Sequence, residues 1–395
     1  MKHEHAAVVL DFSANGIGII RSLARRGIDV YAFDTEGPYR IGKSRLADCG
    51  ICPSPLTEEE ELLTFLTDFG KRFQAKPVLY AGSDDYAGFI SKFRETLAGF
   101  FLFLLPSHSL LETVLDKSKA YELAVKHHIP CPKTFFPNNQ DELEEAIANI
   151  DFPCILKPVA GHEYRKKVNK KAIVMKDAAQ LRKEFSSYRE NGELLVQEII
   201  PGDNQCFYKV ATFYDDQMKL MGLFSLQKNH QFPADFGAGA HVVSKRLPDL
   251  IEKTLPFFEA IQLKGVGMAE FKKDPRDNVY KFIEINPRFW LSHSLTEPAG
   301  VHFVYMYYLY LTGQHVKPQL EQKDGINWIY EVRYFLTFLK KRKRGEMTFR
   351  DFWKGCKGKK EYALFAWNDP MPFIRNTWSH LKNSWKRKRK EDRHV

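Results

Sequence analysis

Along residues 6–34 apolar runs and polar breaks follow one another as strand, turn, helix and strand: AAVVLDF, SANGIG, IIRSLARRG and IDVYAFD. Gly27 stands where a helix C-cap takes glycine. This βαβ order predicts a parallel sheet. Residues 58–74 pattern as an amphipathic helix, PVLYAG as a further strand, and FFLFLLP as a buried strand closing a first unit near residue 106. From residue 109 the regular alternation stops. LLETVLDKSKAYELAVKHH reads as a helix ended before Pro130 and Pro132, followed by a second helix, DELEEAIANI. FPCILKPVA, KAIVM and ELLVQEIIPG read as strands, with a helix over 177–191. FYKVATFYDDQMKLMGLFSLQ is a hairpin turning at Asp215 and Asp216, FPADFGAGAH a glycine-containing loop, and 248–263 a helix. This mixed order predicts an α+β domain.

Residues 265–288, GVGMAEFKKDPRDNVYKFIEINPR, form two β-prone segments around a charged turn. Period-two alternation puts Glu284 and Asn286 on one face and Ile283 and Ile285 on the other. Paired as a hairpin, Glu270 shares the face of Glu284. Two carboxylates and an amide oxygen suit a hard cation such as Mg²⁺. An ordinary hairpin with a charged solvent face satisfies the same pattern.

Composition narrows the class. With 395 residues, 44% of them hydrophobic, and 31 Phe and 17 Tyr, the chain can fill two or three cores, which excludes wholesale disorder. The six cysteines are scattered. Cys49 and Cys52 alone show a CxxC spacing, so reduced thiols in a cytosolic protein are expected. MKHEHAAVVLDF lacks the apolar run of a signal peptide. VHFVYMYYLYLTG falls short of the ~20 residues a spanning helix needs and reads as a buried helix. The net charge of +10 is uneven: residues 317–395 carry 21 Lys and Arg against 9 Asp and Glu, a net +12, and the remainder is −2.

Candidate chemistry lies in several places. Gly16-x-Gly18 is followed by Arg21 where the dinucleotide fingerprint has a third glycine. Asp34 is the ribose acid if the chain is a nicotinamide oxidoreductase, but lining a substrate crevice at the strand ends fits better. Asp84 and Asp85 either touch substrate there or cap the next helix. Lys117 and Lys157, on separate elements, can neutralise a triphosphate from two sides. The strand end at Gln197 and Glu198 offers backbone groups to an adenine edge and a carboxylate to a ribose.

DKSKAY, FPCILKP, VQEIIPGDN and FIEINPRF, in this order within roughly residues 6–316, resemble the motifs of the ATP-grasp superfamily, and within it the carboxylate–amine ligases. The resemblance implies an α/β N-terminal parallel-sheet domain (1–108) and an α+β ATP-grasp fold (109–316, ATP lid at about 133–200). A basic aromatic C-terminal extension (317–395) follows. It implies that Lys117 and Lys157 bind ATP phosphates, and that Gln197, Glu198 and Ile200 edge the adenine, partly through backbone. Asp203 or Asn204 would reach the ribose, and Glu270, Glu284 and Asn286 would hold Mg²⁺ or Mn²⁺. Arg288 would face the carboxyl phosphate. Lys228 and the loop Phe236-Gly237-Ala238-Gly239 resemble the segment that covers the reacting phosphate. One loop departs from the family: HEYRKKVNKK replaces a run of small residues, with Gly161 its only nearby glycine. Its lysines Lys166, Lys167, Lys170 and Lys171 either replace backbone cradling of the γ-phosphate with charge or form a solvated basic loop, the second reading being favoured.

The implied activity activates a small-molecule carboxylate with ATP as an acyl phosphate and couples it to an amine. The alternatives are the nicotinamide oxidoreductase and a non-catalytic, polyanion- or membrane-binding protein on a degenerate ATP-grasp fold. In the extension, Trp378 and Trp385 are seven apart with Leu381 between, hence on one helical face. A basic helix with tryptophans suits an anionic membrane surface. Nucleic acid is disfavoured because no reading module accompanies the charge; a solvated tail fits the charge as well. The Asp-Pro-x-Pro-Phe stretch is similar to tails of ligases associated with bacterial envelope polysaccharides, which brings in an envelope polymer precursor. The expectation is a cytoplasmic enzyme, peripheral at the inner face of the plasma membrane, with a homodimer as its candidate assembly.

Overall fold

A computed structural model describes residues 3–36, 43–159, 172–190 and 192–391. The first apolar runs form β1 (Ala7–Leu10), β2 (Val30–Asp34), β3 (Asp48–Ile51) and β4 (Val78–Ala81). They pair in parallel in the order β3-β2-β1-β4. β1 and β4 are buried at every position, as strands covered on both faces are. β3 was not foreseen: it is a half-exposed edge strand, DCGI, without an apolar pattern. The expected turn SANGIG is largely helical. Ser13 Oγ caps the Asn15 amide at 3.1 Å and the helix runs Ala14–Ala24. Gly16 is needed for close approach, since a Cβ there would lie 1.8 Å from the Asp11 carbonyl oxygen.

FFLFLLP is not a strand. Leu102 makes a single parallel bridge to Val78. The run is apolar because it threads between two cores: Phe101, Phe103 and Leu105 pack to one side, Leu102 and Leu104 to the other. The expected long helix after residue 109 is two helices, His108–Leu115 and Lys117–Lys126. They break at Asp116, whose side chain caps the Lys119 amide at 3.1 Å.

A second, antiparallel sheet holds β5 (Thr134–Phe135), β6 (Cys154–Pro158), β7 (Ile173–Met175) and β8 (Leu194–Glu198) in the order β5-β8-β6-β7. Helices Gln140–Asn149 and Ala178–Arg189 close a separate small core on it, around Leu143, Leu156, Leu181 and Phe185. The basic loop HEYRKKVNKK lies outside the described residues.

The third sheet has seven strands among the described residues: β9 (Phe207–Tyr214), β10 (Leu220–Phe232), β11 (Ala238–Ser244), β12 (Gly265–Lys273), β13 (Tyr280–Asn286), β14 (Asn327–Ile329) and β15 (Lys360–Tyr362). Their order is β13-β12-β9-β10-β11-β14-β15. The glycine loop is shorter than expected, because Ala238 and Gly239 already pair with Phe232 and Gln231. The apolar helix is Phe303–Leu311, packed in the main core. Among the described residues no helix is long and apolar enough to cross a membrane. All six cysteines are free, and burial pushes the Cys49 and Cys52 thiols up to about 11.

Residues 317–395, expected as an extension, supply the last two strands of the third sheet. β14 pairs antiparallel with β11, and β15 parallel with β14. Further on, buried Asp369 accepts hydrogen bonds from Arg21 Nε (3.1 Å), Ser44 Oγ (3.0 Å) and the Arg45 amide (3.1 Å). Arg21 also donates to the carbonyls of Leu364 (2.7 Å) and Asp369 (2.8 Å). The residue standing where a fingerprint glycine would be is thus the anchor of the C-terminal segment. Asp369→Ala leaves a buried guanidinium without its counter-charge and should cost about 3–5 kcal/mol in denaturant unfolding. Arg21→Met with Asp369→Leu should recover most of that loss; a single variant as stable as the parent would contradict the assignment.

Candidate active site

The hairpin of β12 and β13 centres the site. Strand register sets Glu270 opposite Glu284 on one side and Lys209 of β9 on the other, and Met268 opposite Asn286. Glu270 is buried, 6% exposed. Its two oxygens accept from Lys228 Nζ at 2.8 Å and Lys209 Nζ at 2.6 Å. Burial pushes the Glu270 pKa up, but the two ammonium groups overcome this and hold it at about 2. Lys228 is 2% exposed, with its Nζ 3.9 Å from the centroid of Phe207. Burial pulls its pKa down against the attraction of Glu270.

Glu284 is exposed and accepts from Asn286 Nδ2 at 3.1 Å. Asn286 Oδ1 in turn accepts from Arg288 at 3.1 Å. Arg288 Nε donates to Asp84 at 2.7 Å, and another guanidinium nitrogen to the Phe289 carbonyl at 2.8 Å. Asp84 opens the helix Asp84–Lys92, whose N-cap is Ser83, so it serves the arginine rather than the cap. Asn15 Nδ2 donates to the carbonyls of Gly82 (2.9 Å) and Phe289 (3.1 Å). The end of β13 is thereby fastened to the carboxyl edge of the first sheet.

The second sheet places its lysine within the electrostatic reach of Glu284 and Glu270. Lys157 Nζ donates to Gln197 Oε1 at 2.8 Å, and Gln197 Nε2 to Thr134 Oγ1 at 2.8 Å. The Lys157 pKa falls to about 7, first from burial and then from the like charge of Lys117, while Glu284 and Glu270 pull the other way. Lys117 Nζ donates to the Pro158 carbonyl at 3.0 Å. Lys117, Lys157, Glu270 and Glu284 therefore share one electrostatic neighbourhood.

The strand end at β8 differs from a free ligand edge. The Glu198 carboxylate accepts from the Lys133 amide (2.9 Å), Arg276 (2.7 Å) and Lys281 (3.1 Å), and these hold its pKa low despite burial. Its side chain ties the second sheet to the β12–β13 hairpin, leaving the backbone of 198–200 as what that edge can present. The Ile200 carbonyl accepts from Lys272 Nζ at 2.6 Å. Asp203 Oδ1 accepts from the Gln205 amide at 2.9 Å, in the turn that leads into the 3-10 helix Asn204–Cys206. Phe236 has φ of 55°, and a Cβ on Gly237 would lie 2.2 Å from the Phe232 carbonyl carbon, so the turn into β11 requires glycine.

Several contributors escaped the sequence reading: Lys209, Lys272, Thr134 and Asn15. A signal existed for Lys209, because aligning FYKVATFY antiparallel to GVGMAEFKK sets opposite charges across the ladder. For Asn15 there was none, since its partners are carbonyls 67 and 274 residues away.

Among the described residues no three His, Cys, Asp or Glu side chains gather as a metal cluster. The all-oxygen set of Glu270, Glu284 and Asn286 nevertheless fits a hard cation. Glu284 is accessible, and a carboxylate such as Glu270 has acceptor capacity beyond its two lysines.

A family model described as "Carbamoyl-phosphate synthase L chain, ATP binding domain" matches residues 116–314. The chain is 25% identical over 358 residues to a D-aspartate ligase of Enterococcus faecium, covering 86% of this chain and 83% of that protein. In fold it resembles the biotin carboxylase domain of a Hydrogenobacter thermophilus 2-oxoglutarate carboxylase, solved with MgADP, ADP and bicarbonate (TM-score 0.63, 16% identity, 82% of this chain and 74% of that one). It also resembles an L-amino acid ligase from Bacillus licheniformis (TM-score 0.58, 14% identity, 81% and 76%).

The two facing carboxylates should respond oppositely to neutralisation. Glu284→Gln should leave stability within about 0.5 kcal/mol. Glu270→Gln strands two lysines and should lose about 3–5 kcal/mol. Because its folded pKa lies below the unfolded value, Glu270 stabilises fully above about pH 4.3, and that contribution disappears as pH falls towards 2. Equal losses for the two variants in denaturant unfolding would refute this division.

Proposed function

The chain belongs to the ATP-grasp superfamily, and from that premise we propose that it is an ATP- and Mg²⁺-dependent carboxylate–amine ligase. The observation that carries this reading is that Lys157 and Lys117 donate to neutral oxygens, Gln197 Oε1 and the Pro158 carbonyl, while Lys157 stands within the electrostatic reach of Lys117, Glu270 and Glu284. Lys157 has a neutral amide as its direct partner and a pKa pulled down by burial and by Lys117. A triphosphate supplies the missing negative charge. When bound, Mg²⁺ between Glu270, Glu284 and Asn286 would neutralise phosphate oxygens.

In this reading Lys117 and Lys157 hold the phosphates. The backbone of Glu198 and Ile200, with Gln197, edges the adenine, and Asp203 or Asn204 reaches the ribose. A carboxylate is a poor electrophile. Its oxygen takes the γ-phosphoryl group, ADP leaves, and an acyl phosphate results. A neutral amine then attacks the carbonyl carbon, the bond to the phosphate oxygen breaks, and the amine's proton passes to phosphate or water. No covalent protein nucleophile is needed. Arg288, fixed by Asp84 and Asn286, faces the carboxylate and then the acyl phosphate. Lys228 acts through Glu270, which it keeps ionised. The names D-aspartate ligase and L-amino acid ligase among the relatives support an amino acid as one substrate. An envelope polymer precursor as acceptor, and work at the inner face of the plasma membrane, are the finer reading; the basic aromatic C-terminal segment supports it. The nicotinamide alternative is disfavoured because Arg21 is committed to Asp369.

Incubating the protein with Mg-ATP and panels of carboxylates and amines should release ADP and phosphate for at least one pair. No ATP binding and no turnover with any pair would overturn the reading. Glu284→Gln should abolish turnover with the fold intact. Bound phosphates raise the Lys157 pKa from about 7, so ATP affinity should be highest below that pH and decline above it. Near pH 8, calorimetry in buffers of different ionisation enthalpy should show proton uptake on binding that Lys157→Met removes.

A further inference from the structure

The helix Met371–Glu391 has a face turned to the body and an opposite, exposed apolar one. One packs on the body. The Phe373 ring meets Phe365 at 5.5 Å, the His380 ring meets Phe232 at 6.1 Å, and Asn376 is buried. The other face carries Met371, Ile374, Trp378 and Leu381, spaced three, four and three apart, which is one stripe on an α-helix. All four are exposed, Trp378 at 71%. Arg375 and Lys382 fall beside this stripe by helical geometry. From 371 to 390 the sequence holds seven Lys and Arg and no Asp or Glu. Trp367, just before the helix, is 88% exposed. The neighbouring helices Glu331–Lys343 and Phe349–Gly355 add exposed Phe335, Leu339, Phe349 and Trp353, with Lys340 to Lys343 in the last turn of the first.

We propose that the outer face of the helix Met371–Glu391 docks on the surface of an anionic lipid bilayer, with Ile374, Trp378 and Leu381 entering the headgroup boundary and Lys382 beside them facing lipid phosphates. Charge selects this occupant. A second copy would bring two equally basic stripes together without an acidic partner. The four side chains together also offer far less than the ~800 Å² per partner of a stable interface. A soluble polyanion uses the lysines and arginines but leaves the apolar stripe in water. A bilayer with anionic headgroups satisfies both, and tryptophan is a residue favoured at that boundary. The inference rests on the membrane-face location in the proposed function and deepens it by naming the surface. Vesicle binding is read without nucleotide, so its failure leaves the ligase reading standing.

The test is co-sedimentation of the full chain with phosphatidylcholine vesicles with and without phosphatidylglycerol. Binding should require phosphatidylglycerol, weaken with salt, and fall about tenfold or more in the double variant Ile374→Ser/Trp378→Ser. Thermal unfolding and ATP turnover should stay unchanged in that variant. Brominated lipid should quench tryptophan fluorescence of the parent, and less so that of Trp378→Phe. Absence of vesicle binding overturns the proposal, as does binding that the double variant retains. A parent dimer in light scattering that the variant dissociates assigns the stripe to self-association instead, and binding to heparin but not vesicles assigns the charge to a polyanion.

Discussion

Glu270 is an ionised carboxylate buried within a sheet, and the third sheet is arranged around keeping it so. Taking such a group out of water costs several kcal/mol even after relaxation. The compensation comes from two lysines on two other strands, Lys209 on β9 and Lys228 on β10. Both reach it only when β12, β9 and β10 hold one register, because a slip of one residue turns a side chain to the opposite face. The same register sends Glu284 outwards opposite Glu270 and brings Asn286 and Arg288 to the end of β13. One buried charge therefore fixes where the accessible oxygens stand.

The first sheet contributes its own constraints to that end of the hairpin. Asn15 and Asp84 come from its carboxyl edge and hold the Phe289 carbonyl and Arg288. Arg21, on the same helix as Asn15, holds Asp369, and Arg26 holds Glu297 at 2.9 Å. The N-terminal helix is thus a joint between the hairpin, the segment after it and the C-terminal residues. The second sheet is fastened differently. It has its own core, and its ties to the hairpin through Glu198, Arg276 and Lys281 are polar and partly exposed. The Arg276 end of that network is open to solvent and exchanges with water at little cost, whereas the buried contacts of Arg21 and Asn15 do not.

What the sequence made legible follows from which forces act locally. The β12–β13 hairpin, the strand ends at Lys157 and Glu198, and the buried helix Phe303–Leu311 were readable because period and charge are carried by neighbouring residues. The misreadings share a cause in distant partners. FFLFLLP has the composition of a strand, but its side chains divide between two cores that only the fold creates. Gly16 and Gly18 look like turn residues, yet each marks a close approach, to the Asp11 carbonyl and to the His293 ring. The C-terminal segment looked separate because its net charge differs from the rest. Trp328 and Leu364, both fully buried in the main core, show that charge averaged over a segment says nothing about the few residues that dock it.

The contrast between the two kinds of lysine near Glu270 gives the site its direction. Lys209 and Lys228 each meet a carboxylate oxygen, so their charge is spent within the protein. Lys157 feels the charges of Glu284 and Glu270 without pairing with either: its hydrogen-bond partner is the neutral Gln197, itself held by Thr134. A purely structural lysine in that position would be better served by an acid, and Glu198, the next residue along β8, is one. Alternation turns Glu198 to the other face, where it binds Arg276 and Lys281. The strand therefore places an amide where the lysine is and an acid where it is not. That arrangement leaves Lys157 without a paired acid yet within the electrostatic reach of the accessible carboxylate of Glu284, which is the condition for binding an anion together with a divalent cation.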